Sequence, residues 1–275
     1  MLLPRFLTSL FGIPLILLLI WIGYLPFFFL VYGIIFLGLY EFYYLWVNKG
    51  YYPDKIFGYI FGSFLLLSLY FQGKDNPLLS EGTGLVFTLG ILFYLTLNVL
   101  RKMFTKEETK KSYFDLVLTF WGVVYVAWLL GHLLLLRELR PFGREYTYLL
   151  FLSAWFSDTA AYAVGRKFGQ HPLAKKISPK KTWEGGVSGL LTAVLVVLIF
   201  KILFLKHFTY LQVIVIGLIL SLVGQFGDLS ESFLKRQVEV KNTSNLLPGH
   251  GGILDRFDTI IFTAPVLYYY LRLFG

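Results

Sequence analysis

"LPGHGGILDRFDTIIFTAPVLYYYLRLF", residues 247–274, decides how the chain is read. Its second half is an apolar run of the kind that spans a bilayer, for which about 20 mainly apolar residues suffice. Its first half is a glycine-rich turn that carries two aspartates, Asp255 and Asp258, into the mouth of that helix. Charge at membrane depth is costly and must find partners, so acids in this position point to chemistry or transport.

The remaining sequence has the same character. Of 275 residues, 57% are hydrophobic and 15% charged, with a mean hydropathy of +0.68. A soluble domain carries about 25% charged residues, so this is an integral membrane protein. Aromatics at 19% fit Trp and Tyr at the interfaces and Phe within the bilayer. The lack of cysteine excludes disulfides and thiolate metal sites. The opening "MLLPRFLTSLFGIPLILLLIWIGYL" has no small-residue cleavage site and reads as a retained first span.

Nine spans are expected, near 6–23, 25–46, 56–72, 83–100, 113–136, 146–165, 185–205, 209–234 and 257–273. The fold class is therefore all-α, a polytopic membrane protein forming one integral unit. One side of the membrane receives the N-terminus and the loops near 47–55, 101–112, 166–184 and 235–256. That side holds 18 of the 25 Lys and Arg, which places it and the N-terminus in the cytoplasm. Three arginines between Arg137 and Arg144 are the exception. The net charge of +9 is thus sorted by membrane side and does not indicate nucleic acid. Residues 1–150 read as transmembrane scaffold. Residues 151–275 concentrate Asp, Lys, Gly and His and read as the catalytic region.

Three clusters carry chemistry. In "WFSDTAAYAVGRKFGQHPLAKKISPKKTWEGG", 155–186, Asp158 lies inside an apolar helix and six basic residues follow, among them Lys180 and Lys181. Ser178-Pro179 reads as a turn, and Gly185 and Gly189 as a helix-packing pair. In "GQFGDLSESFLKRQVEVK", 224–241, Asp228, Ser232 and Lys235 form one helical stripe with Glu231 on its shoulder. In the third cluster, Pro248-Gly249 and Gly251-Gly252 let the backbone turn tightly and offer N–H groups to an anion, beside the N-terminus of a helix. Asp255 and Asp258 fall at i and i+3 on that helix and repel unless a cation lies between them. Oxygen-only ligands favour a hard ion such as Mg²⁺.

Together these give Asp228, Asp255 and Asp258 as metal ligands, ringed by Lys, Arg and a glycine nest. That is equipment for phosphoryl or nucleotidyl transfer, where metal and positioning do most of the work. No Walker motif is present, so a nucleotide would be held another way.

The run "SFLKRQVEVKNTSNLLPGHGGILDRFD", 232–258, resembles the signature of the phosphatidate cytidylyltransferase (CDP-diacylglycerol synthase) family. The resemblance rests on Ser232, Leu234, Lys235, Arg236, Lys241, His250, Gly251, Gly252, Asp255, Arg256 and Asp258, and "GQFGDLSES" and "ISPKKTWEG" look like family sequence too. It covers about residues 150–265 in detail. Two departures stand out: Asn242, where the family usually has aspartate, and Ala160, where it often has glycine.

The resemblance implies transfer of CMP from CTP to phosphatidic acid, giving CDP-diacylglycerol and pyrophosphate. The enzyme would be a homodimer in the cytoplasmic membrane lipid bilayer, its active site facing the cytoplasm. Its cofactor would be Mg²⁺, with a second cation such as K⁺ left open. Carried over, the catalytic set is Asp228, Lys235, Arg236, Lys241, His250, Asp255, Arg256 and Asp258. The substrate-binding set is Asp158, Ser178, Lys180, Lys181, Ser232, Gly249, Gly251 and Gly252. Rival readings are a transporter, which predicts acids spread through the membrane depth and two similar halves, and another CTP-dependent lipid enzyme such as a polyprenol kinase. A non-catalytic scaffold leaves the carboxylates unexplained.

Overall fold

A computed structural model describes residues 3–74, 76–104, 109–246 and 251–275 of the chain. In an apolar medium, backbone N–H and C=O groups have only one another as partners, and the chain runs as helix almost throughout. The order is α1 (Leu3–Ile22), α2 (Tyr24–Val47), α3 (Lys55–Gly73), α4 (Pro77–Phe104) and α5 (Thr109–Gly122). A π-helical segment, Val123–Trp128, then leads into α6 (Leu129–Glu138) and α7 (Gly143–Phe168). After a hairpin of β1 (Pro172–Ala174) and β2 (Ser178–Thr182) come α8 (Trp183–Leu203), α9 (Tyr210–Gln237) and α10 (Leu254–Phe274).

These helices fall on the segments expected from hydropathy. Five stretches, Tyr24–Val47, Lys55–Gly73, Tyr113–Glu138, Trp183–Leu203 and Tyr210–Gln237, are long and apolar enough to cross a bilayer. The hairpin is the departure from an all-α chain among the described residues, and it corrects one expectation. Ser178-Pro179 is not a turn but the start of β2, paired antiparallel so that Pro172 faces Thr182 and Ala174 faces Ser178. Proline is tolerated because each strand of a two-stranded ribbon has one unpaired edge that needs no N–H. The turn itself falls at 175–177, closed by Ile177 N donating to Ala174 O.

Helix starts are written in side chains. Asp54 accepts from Phe57 N at the head of α3, and Thr182 from Gly185 N at the head of α8. Thr209 and Gln212 form a reciprocal capping box on α9. Long-range bonds then sort the connections into two ends. At one end Lys49 pairs with Glu239 at 2.9 Å, and Asp54 N donates to Thr119 Oγ1 at 2.8 Å. These contacts bring together the loops after α2 and α9 and the α5 helix. At the other end Lys74 pairs with Glu138 at 3.0 Å, and Gln212 Nε2 donates to the Phe274 carbonyl.

Arg137 also works at this second end. Its Nε donates to Ile20 O at 2.7 Å, closing α1, and its guanidinium fills the space where a Cβ on Gly23 would sit, at φ +69°. Arg144 pairs with Glu145 at 2.7 Å. Two of the three arginines that break the charge rule thus have local structural partners.

Glycines let the last four helices approach closely. A Cβ on Gly185 would meet the Ala161 carbonyl, and one on Gly189 the Ser157 hydroxyl, so this pair packs α8 on α7 as the sequence reading expects. Ser157 Oγ bonds Gly189 O at 3.0 Å across the same seam. Gly224 and Gly227 do the equivalent between α9 and α10, facing Thr259 and the Asp258 carbonyl. That seam carries the site.

Candidate active site

The expected stripe on α9 exists, because the helix is unbroken from Tyr210 to Gln237. Lys235 is buried and lies between two acids, with Nζ 2.7 Å from Glu231 Oε2 and 2.6 Å from Asp255 Oδ1. The second oxygen of Glu231, also buried, has no hydrogen-bond partner among the described residues. Asp255 is saturated by comparison. Its Oδ2 accepts from Thr243 N at 3.0 Å, Thr243 Oγ1 at 3.0 Å and Gly252 N at 2.8 Å. Gly251 makes the turn possible at φ +84°, where a Cβ would also crowd Asp255 Oδ2.

Asp258 goes to different neighbours. Asp228, Glu231 and Asp158 all lie close enough to act on its charge, and among the described residues its carboxylate accepts from Thr259 N alone, at 2.7 Å. Asp158, exposed on α7, receives among the described residues only the long contact from Thr259 Oγ1 at 3.4 Å. Asp228 Oδ2 lies 2.5 Å from Lys181 Nζ, delivered by β2. So Asp158, Asp228 and Asp258, from three helices, have few protein donors among the described residues, and Lys181 pairs with Asp228. Asp255 turns instead to Lys235, Thr243 and Gly252. The i, i+3 spacing puts both aspartates on α10, but Lys235 and the turn's N–H groups draw Asp255 to their side.

Three neighbouring carboxylates repel one another unless a cation or proton intervenes. The donor set is all oxygen, which suits Mg²⁺. Among the described residues no three His, Asp or Glu side chains are gathered at coordinating distance as they stand. The fit to a metal is therefore one of chemistry: under-bonded aspartates, and not a preformed cage.

The other candidates surround this group. Ser178 opens β2 and Lys180 is exposed on it. Ser232 is buried on α9. Arg236 Nε donates to Ile177 O at 3.2 Å and its Nη1 to Val240 O at 3.1 Å, tying the hairpin turn to the end of α9. Lys241, Asn242 and Arg256 are exposed, and Asn242 borders Gly251. Gly249 and His250 lie outside the described residues. The acidic group thus opens outward beside Asp158, with Lys180, Lys241 and Arg256 as exposed cations at the same end of the molecule.

One residue escapes the sequence reading. Glu41, on α2 and inside the stretch read as scaffold, is wholly buried, yet its carboxylate accepts four hydrogen bonds. Oε1 takes Ser244 Oγ at 2.7 Å and Ile253 N at 2.8 Å, while Oε2 takes Thr243 Oγ1 and Leu254 N, each at 2.9 Å. The signal is present in "LGLYEFYYLW", an acid within an apolar run, the same signal that singles out Asp158.

The cytidylyltransferase family model matches residues 3–274. The phosphatidate cytidylyltransferase of Bacillus subtilis (strain 168) is 33% identical over 272 residues, 98% of each chain. That of Staphylococcus saprophyticus is 42% identical over 161 residues, spanning 58% of this chain and 61% of its own. The protein of the same name from Staphylococcus aureus (strain COL) is 42% identical over 163 residues, with the same coverage.

Proposed function

The chain belongs to the cytidylyltransferase family, and from that premise we propose that the Asp158–Asp228–Asp258 group and its ring of cations are where CMP passes from CTP to phosphatidate. The protein is a phosphatidate cytidylyltransferase, making CDP-diacylglycerol for phospholipid synthesis. The observation that carries the site assignment is the gathering of three sparsely bonded aspartates, one of them paired with Lys181, at the outward-opening junction of α7, α9 and α10.

The chemistry suits this equipment. A phosphatidate oxygen attacks the α-phosphorus of CTP, and the new P–O bond forms as the bond to the bridging oxygen of the β-phosphate breaks. Pyrophosphate leaves with that electron pair. The nucleophile is already an anion, so no strong base is required, and repulsion between anions is the main barrier. Lys180, Lys181, Lys241 and Arg256 supply positive charge to phosphate oxygens. Lys235 acts differently. With Nζ held by Glu231 and Asp255, it fixes α9 against the head of α10.

Asp228 and Asp258, joined by Asp158, are the residues that would hold Mg²⁺. The ion supplies charge neutralisation on the triphosphate. Asp255, both of whose oxygens already have protein donors, serves to order the turn. A second cation such as K⁺ would draw on the same surplus of carboxylate.

Nine spans with a cytoplasmic N-terminus and site complete the reading. It is supported by the 18 of 25 basic residues on one set of loops, and by the bonds that gather several of those loops at one end. A homodimer in the cytoplasmic membrane is part of the proposal and rests on the family resemblance. The test is transfer of label from α-labelled CTP to lipid by purified protein, with phosphatidate and with or without Mg²⁺. Metal-dependent formation of labelled CDP-diacylglycerol supports the reading. CTP binding without transfer assigns another acceptor, and folded protein that ignores CTP overturns it.

A further inference from the structure

We infer that Glu41, on a helix of the N-terminal half, is a positioning residue for this reaction: its buried carboxylate clasps both flanks of the segment between α9 and α10 and so sets where the head of α10 presents Asp255 and Asp258. The inference rests on the site reading above, but its basis is geometric. Thr243 and Ser244 lie in the chain that follows α9, and Ile253 and Leu254 at the head of α10. Glu41 binds one hydroxyl and one backbone N–H through each of its oxygens, all within 2.7–2.9 Å.

The two N–H groups belong to the first turn of α10, where no earlier turn of helix can satisfy them. The N-cap residue, Ile253, has no side-chain oxygen to do so. A carboxylate from 212 residues away in sequence therefore does the capping. Its charge also favours the positive end of the helix.

The clasp explains Gly252. A Cβ there would fall against Thr243 Oγ1 and the Glu41 carboxylate, so the chain can pass this close only as glycine. It also joins two networks into one, because Thr243 Oγ1 lies 2.9 Å from Glu41 Oε2 and 3.0 Å from Asp255 Oδ2. Movement of Glu41 is thereby passed to Asp255, to Lys235 and to α9.

A carboxylate is needed, and an amide will not serve. Either hydroxyl can turn to accept from an amide NH₂, but the backbone N–H groups of Ile253 and Leu254 cannot. Glu41→Gln therefore sets one N–H against the NH₂ while keeping the side chain's size. Outer partners that orient reacting groups are worth on the order of 10- to 100-fold in activity. Misplacement rather than weaker ground-state binding should appear in kcat, with KM for CTP changed less.

The experiment compares the wild-type chain with Glu41→Gln in detergent. It measures kcat and KM for CTP and the mobility of a nitroxide on Asn245→Cys or on Phe204→Cys. The chain has no cysteine of its own, so each label is unique. Asn245 is exposed in the clasped segment, and Phe204 is exposed where α8 ends, at the far end of the molecule. The expected result is kcat lowered about 10- to 100-fold, with the label at 245 loosened and that at 204 unchanged.

A kcat within about twofold of wild type overturns the inference. So does unchanged mobility at 245, whatever the activity, or loosening at both positions, which would make Glu41 a general fold residue. If wild-type protein transfers no CMP at all, the reading of the reaction fails instead, and the two labels still decide whether Glu41 holds the segment.

Discussion

Replacing Lys235 by methionine tests whether the α9–α10 seam is held electrostatically. Met fills nearly the same volume, so the change is mainly of charge. The lysine side chain is 11% exposed, Glu231 1% and Asp255 6%, so neither acid can turn to water. Removing one partner of a buried pair costs roughly 3–5 kcal/mol because it leaves an uncompensated charge.

The two acids should not suffer alike. Asp255 keeps the backbone N–H groups of Thr243 and Gly252, and a share of the one Thr243 hydroxyl hydrogen, whereas Glu231 loses the only hydrogen bond its side chain accepts among the described residues. Most of the cost is therefore assigned to Glu231, and Glu231→Gln in the same chain should recover at least half of it. For a chain of this size, roughly 2 °C per kcal/mol converts the single variant into a fall of about 6–10 °C in the unfolding midpoint.

The assay is thermal unfolding in detergent of wild type, Lys235→Met, Glu231→Gln and the double variant, alongside CMP transfer. The double variant should regain stability but not activity. A single-variant fall below about 2 °C, or losses that simply add in the double variant, would refute the argument that Glu231 depends on Lys235.

The other predictions concern the acids proposed to hold the metal, the glycines and the far end. Asp228→Asn and Asp258→Asn each remove charge from the group assigned to Mg²⁺. Several kcal/mol at about 1.4 kcal/mol per tenfold gives at least a roughly 100-fold loss of transfer. Turnover measured against Mg²⁺ concentration should need more metal in both. Gly252→Ala drives a methyl onto Thr243 and Glu41 and should cost about 1–3 kcal/mol by overpacking. Gly33→Ala, where the added carbon would meet no described atom within 4 Å beyond its own helix backbone and chain neighbours, should be neutral or stabilising in the same melting series. Arg137→Ala removes charged bonds that close α1 and should cost about 1.5–3 kcal/mol. It lies at the end opposite the site, so CMP transfer per folded molecule, measured below the melting range, should stay near wild type.

What is legible in the sequence, and what is not, follows from the range of each signal. Apolar runs are local, and bilayer thickness converts them into helices almost without reference to the rest of the chain. That is why α2, α3, α8 and α9 end within a few residues of where hydropathy places them. The stripe on α9 is legible for a similar reason: helical periodicity fixes which side chains share a face.

Spacing cannot say which partner an acid chooses across a seam. Asp255 and Asp258 share a helix face by count, yet one is drawn to Lys235 and the turn and the other to Asp158 and Asp228. That choice depends on α9 docking through Gly224 and Gly227, which is tertiary. The hairpin is hidden because Ser-Pro is a good turn signal on its own, and only pairing with 172–174 makes 178–182 a strand.

Glu41 is the most instructive case. Its local signal equals that of Asp158, but its partners lie about 200 residues on, and two of them are backbone N–H groups with no identity in sequence. An acid in a greasy helix announces that it has a partner, and only the fold says that the partner is the first turn of another helix. It follows that dividing this chain into scaffold and catalytic halves at residue 150 describes where the polar residues lie. It does not describe what positions them, since the carboxylate that caps the head of α10 comes from the second helix.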